Sequence, residues 1–142
     1  MLFNSDPRFL SGYLVHVAVG SYDLNASRDF YRDVVGATVF RFMHDRVTFG
    51  LHNLQLVCHL QNRLDMDAHS SFYPRHFGLT FNDQVLFLSY AKRIVASNSQ
   101  YVYSDIATRF ADRPDEHKTF ILQDPSGNFV EFKCYTNENS AF

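Results

Sequence analysis

The chain has no tryptophan, no run of basic residues and no apolar stretch of membrane-spanning length. Each of these absences removes something. With no Lys/Arg stripe and a net charge of −2, the chain lacks the electrostatic footprint of a nucleic-acid binder. A transmembrane helix takes about 20 consecutive apolar residues, and no segment approaches that, so no membrane partner is expected. The opening MLFNSDPRFLSG has no basic segment followed by an apolar core, so it does not read as a signal peptide. Cysteine is scarce: Cys58 and Cys134 are the only two. Both sit in strand-like apolar runs, which is no disulfide framework. A reduced, cytoplasmic protein with inert thiols is the expectation.

What is present is aromatic. Fifteen Phe and eight Tyr favour strands. The 142 residues, 46% of them hydrophobic, are enough for one ordinary domain with a proper core.

Along the chain, Tyr13–Val19 reads as a strand closed by Gly20-Ser21. A helix follows, with Asn25 as expected N-cap and Gly36 just past its end. Leu24, Phe30, Tyr31, Val34 and Val35 fall at helical spacing and predict one buried face. Strands are predicted at Thr38–Phe42, Arg46–Gly50 and Leu54–Leu60, with a turn at His52-Asn53. The stretch Gln61–Pro74 has no pattern and reads as a linker between two halves that covers part of a cavity.

The second half repeats the order. Arg75–Phe81 is a strand, Gln84–Ala96 a helix, and Gln100–Tyr103, Thr119–Gln123 and Phe129–Tyr135 are strands. Arg109–Lys118 is a polar loop, Asp124-Pro125-Ser126-Gly127 a turn, and the tail from Thr136 is expected to fray. At an offset of sixty, His16 matches His76, Phe30 matches Tyr90, Val34 matches Ile94 and Val35 matches Val95. The fold class expected is therefore α+β, built from two tandem βαβββ modules. Module 1 spans about 13–60, the linker 61–74, and module 2 about 75–135.

Strand alternation sorts the polar residues. His16 shares a face with Leu14 and Ala18, and His76 with Gly78 and Thr80. Gln55, Val57 and His59 point together, as do Phe129, Glu131, Lys133 and Tyr135. Each strand thus has one oily face and one mixed face. A carboxylate inside a strand is costly to desolvate and needs a partner. A divalent metal shared by His16, His76 and Glu131 supplies one, and two histidines with one carboxylate leave coordination positions open. The competing reading is a pair of hydrogen-bonded strand histidines, with Glu131 paired to Lys133. Gln55 and His59 lie on the same side as the expected ligands, and histidine is a residue type suited to proton transfer around neutrality, so His59 is a candidate general base. In the polar loop, Arg109 can clamp a carboxylate bidentately, with Glu116 and His117 beside it; a solvated loop is the alternative. Substrate contacts are also expected from Thr80 and Lys133. His44, His52 and His69 receive no role.

Five segments resemble the vicinal-oxygen-chelate superfamily, the glyoxalase, bleomycin-resistance and extradiol-dioxygenase group. They are H-V-A-V from His16, R-D-F-Y-R-D-V-V-G-A from Arg28 to Ala37, L-Q-L-V-C-H from Leu54, H-F-G-L from His76, and D-P-S-G-N-F-V-E-F-K from Asp124 to Lys133. The resemblance covers roughly residues 13–135. It implies two βαβββ modules curled into a half-open cup, with helices outside, around one metal on His16, His76 and Glu131. It also implies a fourth ligand position on the third strand of module 1, which holds Gln55 here. Three strong ligands suit the dioxygenase and thiol-transferase branches better than the four-ligand lyase branch, and the pattern is most similar to small single-domain dioxygenase-like members.

The reading is a metal-dependent enzyme acting on a small oxygen-bearing molecule, with dioxygenase chemistry on Fe(II) preferred and Mn, Ni or Zn as other metals. The alternatives are a lyase or thiol transferase, including antibiotic modification, and a non-enzymatic small-ligand binder. The partner is a small molecule, and the resemblance implies a homodimer.

Overall fold

A computed structural model describes residues 12–63 and 72–142. The opening segment read against a signal peptide, and most of the expected linker including His69, lie outside these residues. The chain divides into two compact units, Met1–Asp67 and Ala68–Phe142. Each carries one four-stranded mixed sheet and its own helix, an α+β fold of two modules.

In the first unit, β1 (Val15–Ser21) leads into α1 (Leu24–Asp29). The N-cap is Asp23, not Asn25: its carboxylate accepts the Ala26 N–H at 3.0 Å. Asp23 precedes the helix in extended backbone, where its oxygen can reach back to a free N–H, whereas Asn25 is already inside the first turn. The helix does not run on to Val35 as α-helix. It widens into a π-helical turn over Phe30–Val35, which buries Phe30, Tyr31, Val34 and Val35 together. Gly36 ends it at φ 89°, a left-handed conformation open to a residue without Cβ. Strands β2 (Thr38–Phe42), β3 (Arg46–Leu51) and β4 (Leu54–Leu60) follow. The order is β1-β4-β3-β2, with β1 and β4 parallel and the rest antiparallel. Val47, Phe49, Leu56 and Cys58 are buried, and Tyr31 packs on Phe49 with ring centroids 5.1 Å apart.

The second unit repeats this with β5 (Phe77–Phe81), α2 (Gln84–Ser97), β6 (Val102–Arg109), β7 (His117–Gln123) and β8 (Phe129–Tyr135), in the order β5-β8-β7-β6. Phe87, Ala91 and Ile94 of α2 are buried with Phe120, Phe132 and Cys134 of the sheet. Phe120 and Phe132 stack at 5.1 Å. Burial pushes the Cys134 thiol pKa up, so the thiol stays protonated.

Strand β1 is shifted to Val15–Ser21, β5 starts at Phe77, and larger differences from the sequence expectation fall in β6, β7 and the tail. A 3-10 turn at Ser99–Tyr101 delays β6, which then runs to Arg109. His117 and Lys118 join β7 by pairing with Arg109 and Thr108, so the polar loop shrinks to 110–116. The tail folds into a 3-10 turn over Glu138–Ala141, started by the Asn137 side chain accepting the Asn139 N–H.

The turn between β7 and β8 is held by one buried carboxylate. Asp124 Oδ1 accepts the N–H groups of Ser126 and Asn128 at 2.9 and 2.8 Å, and Oδ2 accepts the Asn128 amide at 2.8 Å. This turn sets the β7–β8 register, and with it the position of Glu131. Asp124→Ala orphans two backbone donors, one of them buried. The expected cost is about 2–3 kcal/mol in urea unfolding, against less than about 0.5 kcal/mol for an exposed carboxylate such as Glu138.

Candidate active site

In the second unit, register gathers the polar groups. Gly78 pairs with Glu131 and Thr80 with Lys133 across β5–β8, while Ile121 and Thr119 oppose the same two residues from β7. His76 lies just before β5, on the face of Gly78 and Thr80. Its Nε2 stands 3.3 Å from Glu131 Oε2. Its Nδ1 donates to the Phe72 carbonyl oxygen at 3.0 Å, which orients the ring with Nε2 toward Glu131. Glu131 has a side chain only 11% exposed. Its Oε1 accepts the Thr119 hydroxyl at 2.8 Å, and Lys133 Nζ stands 3.8 Å from Oε2.

Oε2 is therefore shared loosely. Both its neighbours are longer than the 2.7–2.9 Å of a tight charge-assisted hydrogen bond. Two ligands bonded to one metal at about 2.1 Å stand about 3.0–3.4 Å apart. The His76–Glu131 spacing fits that edge, and a neutral imidazole with a carboxylate is a suitable donor pair for a divalent metal.

Gly78 allows this approach. A Cβ at position 78 would run into the Glu131 backbone carbonyl. The equivalent residue of the first unit, sixty positions earlier, is Ala18, paired with Val57.

In the first unit His16 and Gln55 are in register, and His16 Nδ1 lies 2.8 Å from Gln55 Oε1. The Gln55 carbonyl accepts from a protonated Nδ1, so this contact leaves Nε2 uninvolved. Gln55 thus orients His16. It does not occupy the counterpart of the Glu131 position. Ala18 pairs with Val57 as Gly78 pairs with Glu131, so that counterpart is Val57, buried and apolar. His59, exposed and paired with Gly20 and Arg46, lies four residues along β4 from Gln55, about 13 Å by strand rise.

The remaining residues fall at the far end of the second sheet. Arg109 opposes His117, which opposes Tyr135. His117 is not a loop residue: it is buried in β7, its ring 5.0 Å from Tyr135 and 5.7 Å from Phe110. Glu116 accepts the Asp112 N–H at 2.8 Å and the Thr136 hydroxyl at 2.7 Å, binding the loop to the tail. Thr119 and Phe72 were not singled out from sequence. Thr119 meets Glu131 only through cross-strand register, and Phe72 falls in the unpatterned linker. Among the described residues no three His, Cys, Asp or Glu side chains are gathered as a metal-binding group. The second unit carries two of the expected ligands and the first unit one.

The model of the Glyoxalase/Bleomycin resistance protein/Dioxygenase superfamily matches residues 13–132. The chain belongs to this superfamily. A glyoxalase/bleomycin resistance protein/dioxygenase from Alicyclobacillus acidocaldarius is 37% identical, with 91% of this chain and 96% of that chain covered and a TM-score of 0.83. Two other solved structures share the fold. The lactoylglutathione lyase from Agrobacterium tumefaciens has 23% identity over 85% of this chain and 92% of that one, with a TM-score of 0.64. A genomically encoded fosfomycin resistance protein from Listeria monocytogenes has 15% identity over 89% and 96%, with a TM-score of 0.66. No curated protein matches the chain. No described helix of this superfamily member is long and apolar enough to cross a membrane.

Two outcomes follow from the geometry. Gly78→Ala forces β5 off β8 and costs about 2 kcal/mol or more in urea unfolding, whereas Ala18→Gly costs under about 1 kcal/mol. Glu116 is held below the usual carboxylate range, first by the Thr136 hydroxyl and then by the Asp112 N–H. Its folded pKa is depressed, so its stabilisation is present above the unfolded value and lost as pH falls through the folded one. Glu116→Ala therefore lowers the melting temperature at pH 7, and the gap to the parent protein closes on acidification below about pH 4.

Proposed function

We propose that the chain is a metal-dependent enzyme of small-molecule chemistry, with His16, His76 and Glu131 as ligands of one divalent cation. The observation that carries this is the shared design of the two histidines. Each has Nδ1 held by an oxygen, from Gln55 or from the Phe72 carbonyl, which leaves Nε2 as the outward ring nitrogen. Metal-binding histidines are oriented in this way by an acceptor on the other ring nitrogen. The 3.3 Å spacing of His76 Nε2 and Glu131 Oε2 adds the second half of the argument. A bound cation supplies Lewis acidity, holding adjacent substrate oxygens and stabilising the negative charge that develops on them.

The chain's own residues do the rest. Thr119 donates to Glu131 Oε1 and fixes the carboxylate rotamer, so that Oε2 is the oxygen presented. Lys133 places a cation beside that oxygen, where it favours anionic substrate oxygens. Thr80, in register with Lys133, offers a hydroxyl on the same face. His59 serves as proton acceptor only for a substrate long enough to reach along β4. Arg109 serves a carboxylate at the far end of the second sheet.

Dioxygenase chemistry on Fe(II) is the preferred reaction, since Val57 leaves module 1 without a carboxylate ligand. A lyase or transferase on Mn, Ni or Zn is the second reading, favoured by the fold shared with the lactoylglutathione lyase and the fosfomycin resistance protein. A homodimer in the cytoplasm belongs to the same proposal.

Elemental analysis of anaerobically purified protein tests the site. About one divalent metal per chain is expected, and Glu131→Gln or His76→Ala should lower metal affinity by about tenfold or more. A Glu131→Gln protein with full metal content overturns the assignment. Oxygen uptake with catechol then separates dioxygenase from lyase or transferase.

A further inference from the structure

One face of β8 carries Glu131, Lys133 and Tyr135 at alternate positions, each about 7 Å from the next. The middle residue reaches both ways. The Lys133 ammonium stands 3.8 Å from Glu131 Oε2 and 5.5 Å from the centroid of the Tyr135 ring. The first distance is an ion pair longer than a direct charge-assisted hydrogen bond. The second lies within the range of cation–π attraction, about 6 Å. The ammonium is therefore seated between a carboxylate and a ring, and bonded tightly to neither.

Its register partners across the sheet are Thr80 and Thr119, neither of them charged, and the Thr119 hydroxyl is given to Glu131 Oε1. The Lys133 and Glu131 side chains are 27% and 11% exposed, so their charges are screened less than those of a surface pair. At Oε2 the ammonium does two opposite things. It offsets the cost of a shielded carboxylate, and it repels any second cation drawn to the same oxygen. Its flexible four-carbon stem lets it trade one neighbour for the other without moving the backbone. The Tyr135 ring is itself held against the buried His117 ring, 5.0 Å away.

We propose that Lys133 is an exchangeable counter-ion of the Glu131 carboxylate. Its ammonium holds Oε2 until a divalent metal takes that oxygen, and then shifts onto the Tyr135 ring. This rests on the metal reading above and adds a regulation of the same site: Lys133 competes with the metal and sets the metal concentration at which the site fills. Lys133 is a positioning residue here, acting through Glu131.

The test is Zn(II) affinity, measured on chelator-treated protein by competition with a chromophoric chelator. Melting temperature is recorded without and with Zn(II). Lys133→Met should bind Zn(II) about tenfold tighter than the parent, since a repelling charge is gone. It should also melt lower than the parent without Zn(II), because Glu131 loses its counter-ion. A general loosening of the fold would weaken Zn(II) binding instead. Lys133→Arg keeps the charge and should show no gain. Tyr135→Leu removes the second seat and should bind Zn(II) about threefold weaker, the worth of a half-exposed cation–π contact. Unchanged or weaker binding in Lys133→Met overturns the proposal, as does an equal gain in Lys133→Arg. If Lys133→Met does not fold, Tyr135→Leu decides, and an affinity equal to or above the parent's overturns the proposal. Equal Zn(II) binding by the parent and Glu131→Gln sinks the metal assignment, and this inference with it. Loss of binding in Glu131→Gln with no gain in Lys133→Met sinks this inference alone.

Discussion

The second unit depends on one shielded carboxylate. Glu131 stands in the middle of β8, between Val130 and Phe132, both buried. A charge in such company is tolerated only where its lone pairs are used. Thr119 uses one oxygen fully. His76 and Lys133 share the other at distances too long to satisfy it. That looser sharing of Oε2 is the feature the proposed cation would use. Local features around it keep that oxygen in place: the Asp124 turn that sets β8, the missing Cβ at Gly78, and the Phe72 carbonyl that orients His76.

The two units share a topology and spend it differently. Their sheets have the same strand order and the same parallel and antiparallel pairs. In the first, Val57 fills the place of the acid and Gln55 supports a histidine. In the second, Phe129 fills the place of the glutamine and belongs to an aromatic group. A duplicated scaffold thus carries one oriented imidazole in the first unit and an imidazole–carboxylate pair in the second.

Much of this was legible in the chain. Alternation within strands placed His16, His76 and Glu131 on mixed faces, and β2, β4 and β8 fall where the β-branched and aromatic runs begin and end. The sixty-residue echo of HVAV and HFGL gave the duplication. Cross-strand register was not legible, because sequence shows which residues share a strand face and not which strands are neighbours. Thr119 therefore carries no sequence signal of its contact with Glu131, and strand pattern points to Gln55 where register points to Val57. Asn25 was preferred to Asp23 because both are good caps by residue type and only backbone conformation separates them. His117 was read as loop because RFADRPDEHK is polar throughout, yet one imidazole in it is wedged between Phe110 and Tyr135.

The π-helical turn at Phe30–Val35 carries a consequence for how this chain tolerates change in length. A π turn holds about one residue more than an α turn, and here the surplus lets four side chains face inward at once. Removing a residue from it would restore ordinary winding and swing everything upstream by about 100°. Ser27, which joins its hydroxyl to that of Ser21 at 2.8 Å in the interior, would be carried away from its partner and stranded. Insertions and deletions should therefore accumulate in the 110–116 loop, where the sheet register absorbs them, and be purged from this helix.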